Sequence, residues 1–334
     1  MTWLCGAFPQ ETENRGIGRR HSWTMMAGEE TVTMWRLSVL LAAMAFGSAL
    51  AAESVEIRHL GYGREFLVHV PKRLPTPAPL VLLLHGAGGG ASQALADYKW
   101  VDLAEAEGIV VLAANALAAR PDLPANAAFN PRFWGDDGGV TQNPRPPADD
   151  VGFLIAAIDM AADRWPIDRQ RVYATGFSSG SRMAQHLALA RADRIAAIGV
   201  LAGRAPEDGK PARPVPVIQI AGAIDPLAPL LGGKRKLPWG PETEVPPMAA
   251  GPELWARLNG CAPATERPLT DKVTLTEWPS CRDGVAVRYL VVADLGHQWP
   301  GGVPSRLTLI LGAYSDALDG TKAMWDFLKS WRLP

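Results

Sequence analysis

The chain alternates between short, uninterrupted apolar runs and longer segments in which apolar residues recur every three to four positions. Leu80 to Leu84, Val110 to Ala113, Val172 to Thr175, Ile195 to Leu201, Val215 to Ala221 and Val285 to Val292 are the short runs, each bounded by glycine, proline or charge. Runs of this length without polar alternation predict strands buried on both faces, as in a parallel sheet covered by helices. Between them, Val151, Leu154, Ile155 and Ile158 follow Asp149-Asp150 at helical spacing, with the two carboxylates placed to cap and favour a helix N-terminus. Met183, Leu187 and Ala190 repeat the pattern, and Asp319 to Trp331 predicts a closing helix that turns Met324, Phe327, Leu328 and Trp331 inward. Ahead of all these, Ser54 to His59 and Arg64 to Val70 flank Gly61-Tyr62-Gly63 as an antiparallel hairpin at a sheet edge would. The reading is α/β: a mostly parallel central sheet flanked by helices, with an N-terminal antiparallel edge hairpin.

Before the hairpin, Met34-Trp35-Arg36 and the apolar run Leu37 to Leu50, with Ala49-Leu50-Ala51 as a small-x-small site, read as a signal peptide over 34–51. The run falls short of the about 20 residues of a membrane span. Residues 1–33 then form an upstream extension, and Arg19-Arg20 lies too far from the apolar core for a twin-arginine signal. Residues 52–334 are expected to be a single catalytic domain of a secreted or periplasmic protein, with a proline- and glycine-rich loop insertion around 226–252. Of the three cysteines, Cys5 falls in the extension, so export implies a disulfide between Cys261 and Cys281. Two thiols without nearby histidines do not complete a zinc site.

Charge narrows the partners. Lysine and arginine total 33 against 34 acidic residues in 334, so no net field attracts nucleic acid or anionic lipid. The triplet Lys234-Arg235-Lys236 reads as a solvated loop.

The candidate chemistry sits where the run Arg171 to Thr175 meets the next helical pattern: Gly176-Phe177-Ser178-Ser179-Gly180 is a G-x-S-x-G sequence at a strand-to-helix junction, the context of a nucleophilic serine held on a strained elbow. A serine nucleophile needs a base and a group that orients the base. His186 lies on the helix that the elbow launches and is expected to point away, which leaves His297 in Asp294-Leu295-Gly296-His297 as the base. Asp225 follows the strand Val215 to Ala221 and is the expected acid; Asp294 is the competing choice, with a turn role three residues before the histidine. His85-Gly86-Ala87-Gly88-Gly89-Gly90 follows the first buried strand, and the backbone N–H groups of Ala87 and Ser179 are the candidate oxyanion donors. That glycine run lacks the frame of a phosphate-binding loop. Asp136-Asp137-Gly138 and Asp149-Asp150 fit no calcium loop and read as turn and cap residues, so neither metal nor cofactor is expected. Trp134, Trp239 and Trp299 fall in predicted loops; Trp134 and Trp299 are the candidate substrate-stacking residues, with a core role as the alternative.

Taken together, His85-Gly86, Asp149-Asp150-Val151-Gly152-Phe153, the elbow behind Arg171-Val172-Tyr173, Trp255 to Cys261 and Gly296-His297-Gln298-Trp299-Pro300-Gly301-Gly302 resemble the polyhydroxybutyrate depolymerase-like and feruloyl or acetylxylan esterase group of the α/β-hydrolases, over roughly Arg64 to Trp331. The resemblance implies Ser178, Asp225 and His297 as nucleophile, acid and base of an ester hydrolase. The chain departs from the group at Ser181, where a second glycine is common, and at Gln298, where threonine is common. Polymer depolymerases of the group carry a linker and a polymer-binding domain; the sequence ends after its closing helix, so soluble oligomers, polysaccharide esters or small esters are the expected substrates. The readings left open are a serine peptidase and a polysaccharide-binding protein on a hydrolase scaffold.

Overall fold

In the computed structural model, which describes residues 52–135, 148–206, 209–236 and 242–334, side chains of one strand divide between two apolar clusters. Leu80, Leu82 and Leu84 enter one cluster, and Val81 and Leu83 the other. Val110, Leu112 and Ala114 part in the same way from Val111 and Ala113. Successive strand side chains point to opposite faces, so a strand that is apolar throughout must be covered on both.

The chain begins with the strands β1 (Glu53–His59), β2 (Tyr62–His69) and β3 (Ala78–Leu84), followed by the helices α1 (Ala91–Asp97) and α2 (Trp100–Glu107). Then come β4 (Val110–Ala114), a small ribbon of β5 (Leu117–Ala118) and β6 (Arg132–Phe133), α3 (Asp150–Arg164), β7 (Ile167–Phe177) and α4 (Ser179–Ala190). The second half holds β8 (Ala197–Leu201), β9 (Val217–Gly222), β10 (Gly233–Lys236), β11 (Glu242–Val245), α5 (Ala250–Asn259), β12 (Thr265–Pro268), β13 (Val273–Trp278), β14 (Val287–Val292), the single turn α6 (Thr308–Leu311) and α7 (Gly320–Leu328).

Ten strands form one sheet in the order β1-β2-β4-β3-β7-β8-β9-β14-β13-β12. The six from β4 to β14 are mutually parallel, and antiparallel pairs extend the sheet at each edge. Phe153, Leu154, Met183, Leu187 and Trp255 of α3, α4 and α5 fill the cluster on one face. Leu95, Trp100, Met324 and Phe327 of α1, α2 and α7 fill the other. The edge hairpin turns at Leu60-Gly61, both with positive φ (46° and 85°), the backbone of a two-residue turn whose twist matches that of the strands.

Two departures from the sequence reading matter. The predicted loop around 226–252 contains the paired strands β10 and β11 and the first turn of α5. Asp149 caps α3 as expected, accepting from Gly152 N at 2.7 Å, but Asp150 is not a surface turn residue. It is buried and bonded to the equally buried Arg64 of β2 at 2.7 Å, whose guanidinium also lies 3.9 Å from the centre of the Phe153 ring. Cys261 and Cys281 are joined as a disulfide that ties the end of α5 to the segment before β14. No helix among the described residues is long and apolar enough to cross a membrane. The residues 1–51, the Asp136-Asp137-Gly138 turn and Trp239 lie outside the described residues.

Candidate active site

β7 passes into α4 through a single residue, Ser178, held at φ 55° and ψ −117°. That is a conformation sparsely populated by residues with a side chain, and surrounding structure has to enforce it. Glycines enforce it here. A Cβ on Gly176 would run into the backbone of Gly180, one on Gly180 into the carbonyls of Leu84 and His85, and one on Gly203 into the carbonyl of Ser178 itself. With no side chains at these three points, strand, helix and neighbouring loop close around the serine. Its N–H donates to Leu201 O at 2.9 Å, which fixes the elbow to the end of β8.

His297 stands on the loop after β14, beside Phe177, with ring centres 4.7 Å apart. Its Nε2 lies 2.9 Å from Ser178 Oγ and its Nδ1 2.7 Å from Asp225 Oδ2. Burial on its own would raise the Asp225 carboxyl, but the His297 ring and the N–H groups of Leu227 and Ala228, at 2.8 and 2.7 Å from Oδ1, outweigh it and hold the group below its ordinary value. An ionised carboxylate only accepts, so Nδ1 carries the proton and Nε2 is left to accept from the Ser178 hydroxyl. Asp294 faces elsewhere: Ser315 donates to it at 2.6 Å and Lys272 pairs with it at 2.7 Å. His186 is among the residues that line the cleft, but it is His297 that the serine hydroxyl meets.

The glycine run after β3 is fixed from beneath by His85. This ring is fully buried, and burial pulls its pKa down to about 4, so it is neutral. Nδ1–H donates to Gly86 O at 2.7 Å, and Nε2 accepts from Ala116 N at 3.1 Å. Gly88 N donates to Arg132 O at 2.9 Å and Gly89 N to Gly86 O at 3.0 Å. Among the described residues, neither Ala87 N–H nor Ser179 N–H is used in a backbone hydrogen bond, and both residues line the same cleft as Ser178. Ser179 is also the first residue of a 12-residue helix, where the backbone presents positive partial charge.

The cleft has a volume of about 860 Å³. One wall is apolar, with Val303, Leu307 and Ile310 at its lip. Trp299 reaches it from a buried position, lying flat on Tyr98 at 4.4 Å and 7° and donating its indole N–H to Thr321 Oγ1 at 2.9 Å. Trp134 requires a correction. It is 1 % exposed, and its indole N–H donates to His85 O at 2.9 Å, so it supports the glycine run from inside and offers no stacking face to the cleft. The sequence reading also missed Arg204 and Arg235, which line the same cleft. Arg235 belongs to the strand β10, in which Lys234 and Lys236 face solvent while Arg235 turns inward. Three successive cations gave no sequence signal for this; it is the extended backbone, which sends alternate side chains to opposite faces, that separates Arg235 from its two neighbours.

The sequence matches the Phospholipase/Carboxylesterase family over residues 68–238. Among curated proteins it is 30 % identical to one provisionally named esterase NocK, from Nocardia uniformis subsp. tsuyamanensis, over 76 % of this chain and 75 % of the other. It is 26 % identical to the bifunctional acetylxylan esterase/xylanase XynS20E of Neocallimastix patriciarum, and 27 % identical to feruloyl esterase B of Piromyces equi. These matches span 82 % and 77 % of this chain but only 34 % and 43 % of those longer relatives. Among solved structures, the acetyl xylan esterase from Aspergillus awamori superposes with a TM-score of 0.52 at 15 % identity, over 77 % of this chain and 97 % of that one. Native sOPH superposes at 0.52 with 19 % identity, over 81 % and 92 %. At such identities the structural likeness concerns the fold.

Proposed function

The chain belongs to the phospholipase/carboxylesterase family of the α/β-hydrolases, and from that membership we propose that it hydrolyses carboxylic esters through a Ser178–His297–Asp225 triad. The observation that carries the proposal is the pair of hydrogen bonds on one imidazole, 2.9 Å to Ser178 Oγ and 2.7 Å to Asp225 Oδ2. Ser178 attacks the ester carbonyl as His297 Nε2 takes its proton. Asp225 holds the tautomer that leaves Nε2 free and stabilises the imidazolium that results. The carbonyl oxygen, now carrying the developing negative charge, is received by Ala87 N–H and Ser179 N–H, donors of a kind worth on the order of 10²- to 10³-fold in rate apiece. His297 returns the proton to the leaving alcohol, and water, activated by the same imidazole, releases the acid from the acyl-enzyme.

The relatives named as feruloyl and acetylxylan esterases support soluble oligomers, polysaccharide esters or small esters as substrates. Export to the periplasm or beyond is supported by the Cys261–Cys281 disulfide together with the apolar segment at 34–51. The test is hydrolysis of p-nitrophenyl acyl esters, methyl ferulate, acetylated xylan and hydroxybutyrate oligomers, with Ser178→Ala alongside and a fluorophosphonate probe to label the nucleophile. Turnover and labelling that both vanish in Ser178→Ala are the expected result. Turnover that survives the substitution overturns the assignment; a protein that labels at Ser178 but cleaves no ester is a serine peptidase instead, and one that neither labels nor cleaves is a binder.

A further inference from the structure

Arg204 and Arg235 line the active-site cleft, and among the described residues neither makes a salt bridge with a carboxylate. Arg204 uses two of its N–H groups on backbone carbonyls, Nε to Pro246 O at 2.7 Å and Nη2 to Pro229 O at 3.1 Å, and so ties the β10–β11 ribbon to the loop after β8. Arg235 is held more loosely. Its contacts to Thr243 Oγ1 at 3.4 Å and Leu227 O at 3.5 Å lie at the outer limit of hydrogen bonding. The carboxylate whose field reaches both arginines is Asp225, and its oxygens are taken by His297, Leu227 N and Ala228 N.

The two guanidiniums also act on one another and on a third. Burial and then the Arg235 charge bring Arg204 down to about 10, while burial and then Arg182 lower Arg235. Both remain protonated at neutral pH. Arg204 and Arg235 repel one another at the cleft, a cost that an anion bound between them would offset. Arginine presents five donors in a planar fork that matches a carboxylate. The ribbon turns Lys234 and Lys236 to solvent and Arg235 to the cleft, so the placement is specific to one residue of the three.

We propose that Arg235, flanked by Arg204, is an anion subsite of the cleft, and that the preferred substrates are esters that carry a carboxylate in addition to the bond being cleaved. The proposal rests on the esterase reading and assigns its substrate class: monoesters of dicarboxylic acids, or hydroxy-acid oligomers ending in a free carboxylate.

The test compares isosteric pairs. For the acyl half, mono-p-nitrophenyl glutarate is set against p-nitrophenyl valerate; for the alcohol half, 4-acetoxybutyrate is set against butyl acetate and followed by pH-stat. In one pair at least, the kcat/KM ratio of anionic to neutral ester is expected to favour the anion by about tenfold at low salt and to shrink at 0.5 M salt, where exposed charges are screened. Arg235→Gln should remove that preference and Arg235→Lys should keep part of it. A ratio at or below one in both pairs, or a ratio that Arg235→Gln leaves unchanged, overturns the proposal. Calorimetric titration of glutarate into Ser178→Ala, with and without Arg235→Gln, separates the subsite from the chemistry. Binding weakened about tenfold by Arg235→Gln sustains the subsite even if no ester is cleaved, and equal or absent binding in both proteins refutes it.

Discussion

Asp225 and His297 meet across 72 residues of chain, Oδ2 to Nδ1 at 2.7 Å, although another carboxylate, Asp294, stands three residues from the same histidine. Nearness in sequence does not decide the partner because β9 and β14 are adjacent parallel strands, and their C-terminal loops open at the same edge of the sheet. Asp294 is drawn to Lys272 and Ser315 at the far side of its loop.

This relationship separates the two aspartates experimentally. Asp225→Asn is expected to lower kcat by about 10³- to 10⁴-fold, since an amide in place of the carboxylate favours the wrong tautomer of His297 and removes the charge opposite the imidazolium. Asp294→Asn is expected to stay within about threefold of the parent. Steady-state kinetics on p-nitrophenyl acetate make the comparison, and equal losses in the two variants would remove Asp225 from its role.

His85 makes a prediction about stability rather than rate. Its folded pKa of about 4 lies below the ordinary histidine value of 6.5, so the unfolded chain takes up the proton first as pH falls. Stability rises with pH wherever the unfolded state binds more protons. The contribution is therefore complete above pH 6.5 and is lost progressively from there toward pH 4, up to about 3 kcal/mol. Between pH 7.5 and 4.5 the urea midpoint of the parent protein should fall more steeply than that of His85→Asn. Parallel slopes would mean that burial of this imidazole is not what ties stability to pH in that window.

The buried parallel strands were legible because each carries a run of mostly apolar residues, interrupted only by Gln219 in β9 and Arg288 in β14 and preceded by the polar start of β7, and the elbow because glycine, serine and glycine stand where such a strand ends. The edge strands β12 and β13 went unread. Thr265–Pro268 is exposed along its whole length, and Val273–Trp278 alternates buried and half-buried positions over its first four residues and is half-buried after them, so neither shows a continuous apolar run. Asp150 was read as a turn residue because a carboxylate before a helix usually serves there, and its partner Arg64 is 86 positions away. Trp134 looked like a cleft residue for a similar reason, since only the folded chain shows that its indole N–H serves His85 O. What escaped the sequence at Asp150 and Trp134 is a long-range polar pairing, which no local periodicity encodes.

The disulfide supplies a third prediction. Cys261 and Cys281 are 20 positions apart, and closing a loop of that size restricts the unfolded chain by an amount worth about 3 kcal/mol. Replacing both cysteines by serine is expected to lower the unfolding free energy by roughly that much while esterase activity at 25 °C stays close to the parent value, since neither cysteine lines the cleft around Ser178. Intact mass with and without reductant reports whether the bond forms, and chemical denaturation reports its effect. Unchanged stability in the double variant would contradict the argument.

Arg64 and Asp150 are almost completely buried, at 2 % and 4 % exposure, and each leaves a costly charge behind if the other is removed. Asp150 also accepts from Gly135 N, so the carboxylate ties β2 both to α3 and to the segment after β6, whose Arg132 O holds the glycine run through Gly88 N. Asp150→Ala and Arg64→Met are each expected to cost about 3–5 kcal/mol, the range for breaking one partner of a buried pair. The double variant should cost clearly less than the sum, because it buries no lone charge. The exposed pair Arg169–Asp163 is the internal control, where the corresponding substitutions should change stability by less than about 1 kcal/mol. Denaturation of the four proteins of the cycle gives the coupling directly: a large coupling for Arg64–Asp150 fits a buried pair that organises the sheet edge behind the site, whereas strict additivity would show that the two side chains act independently.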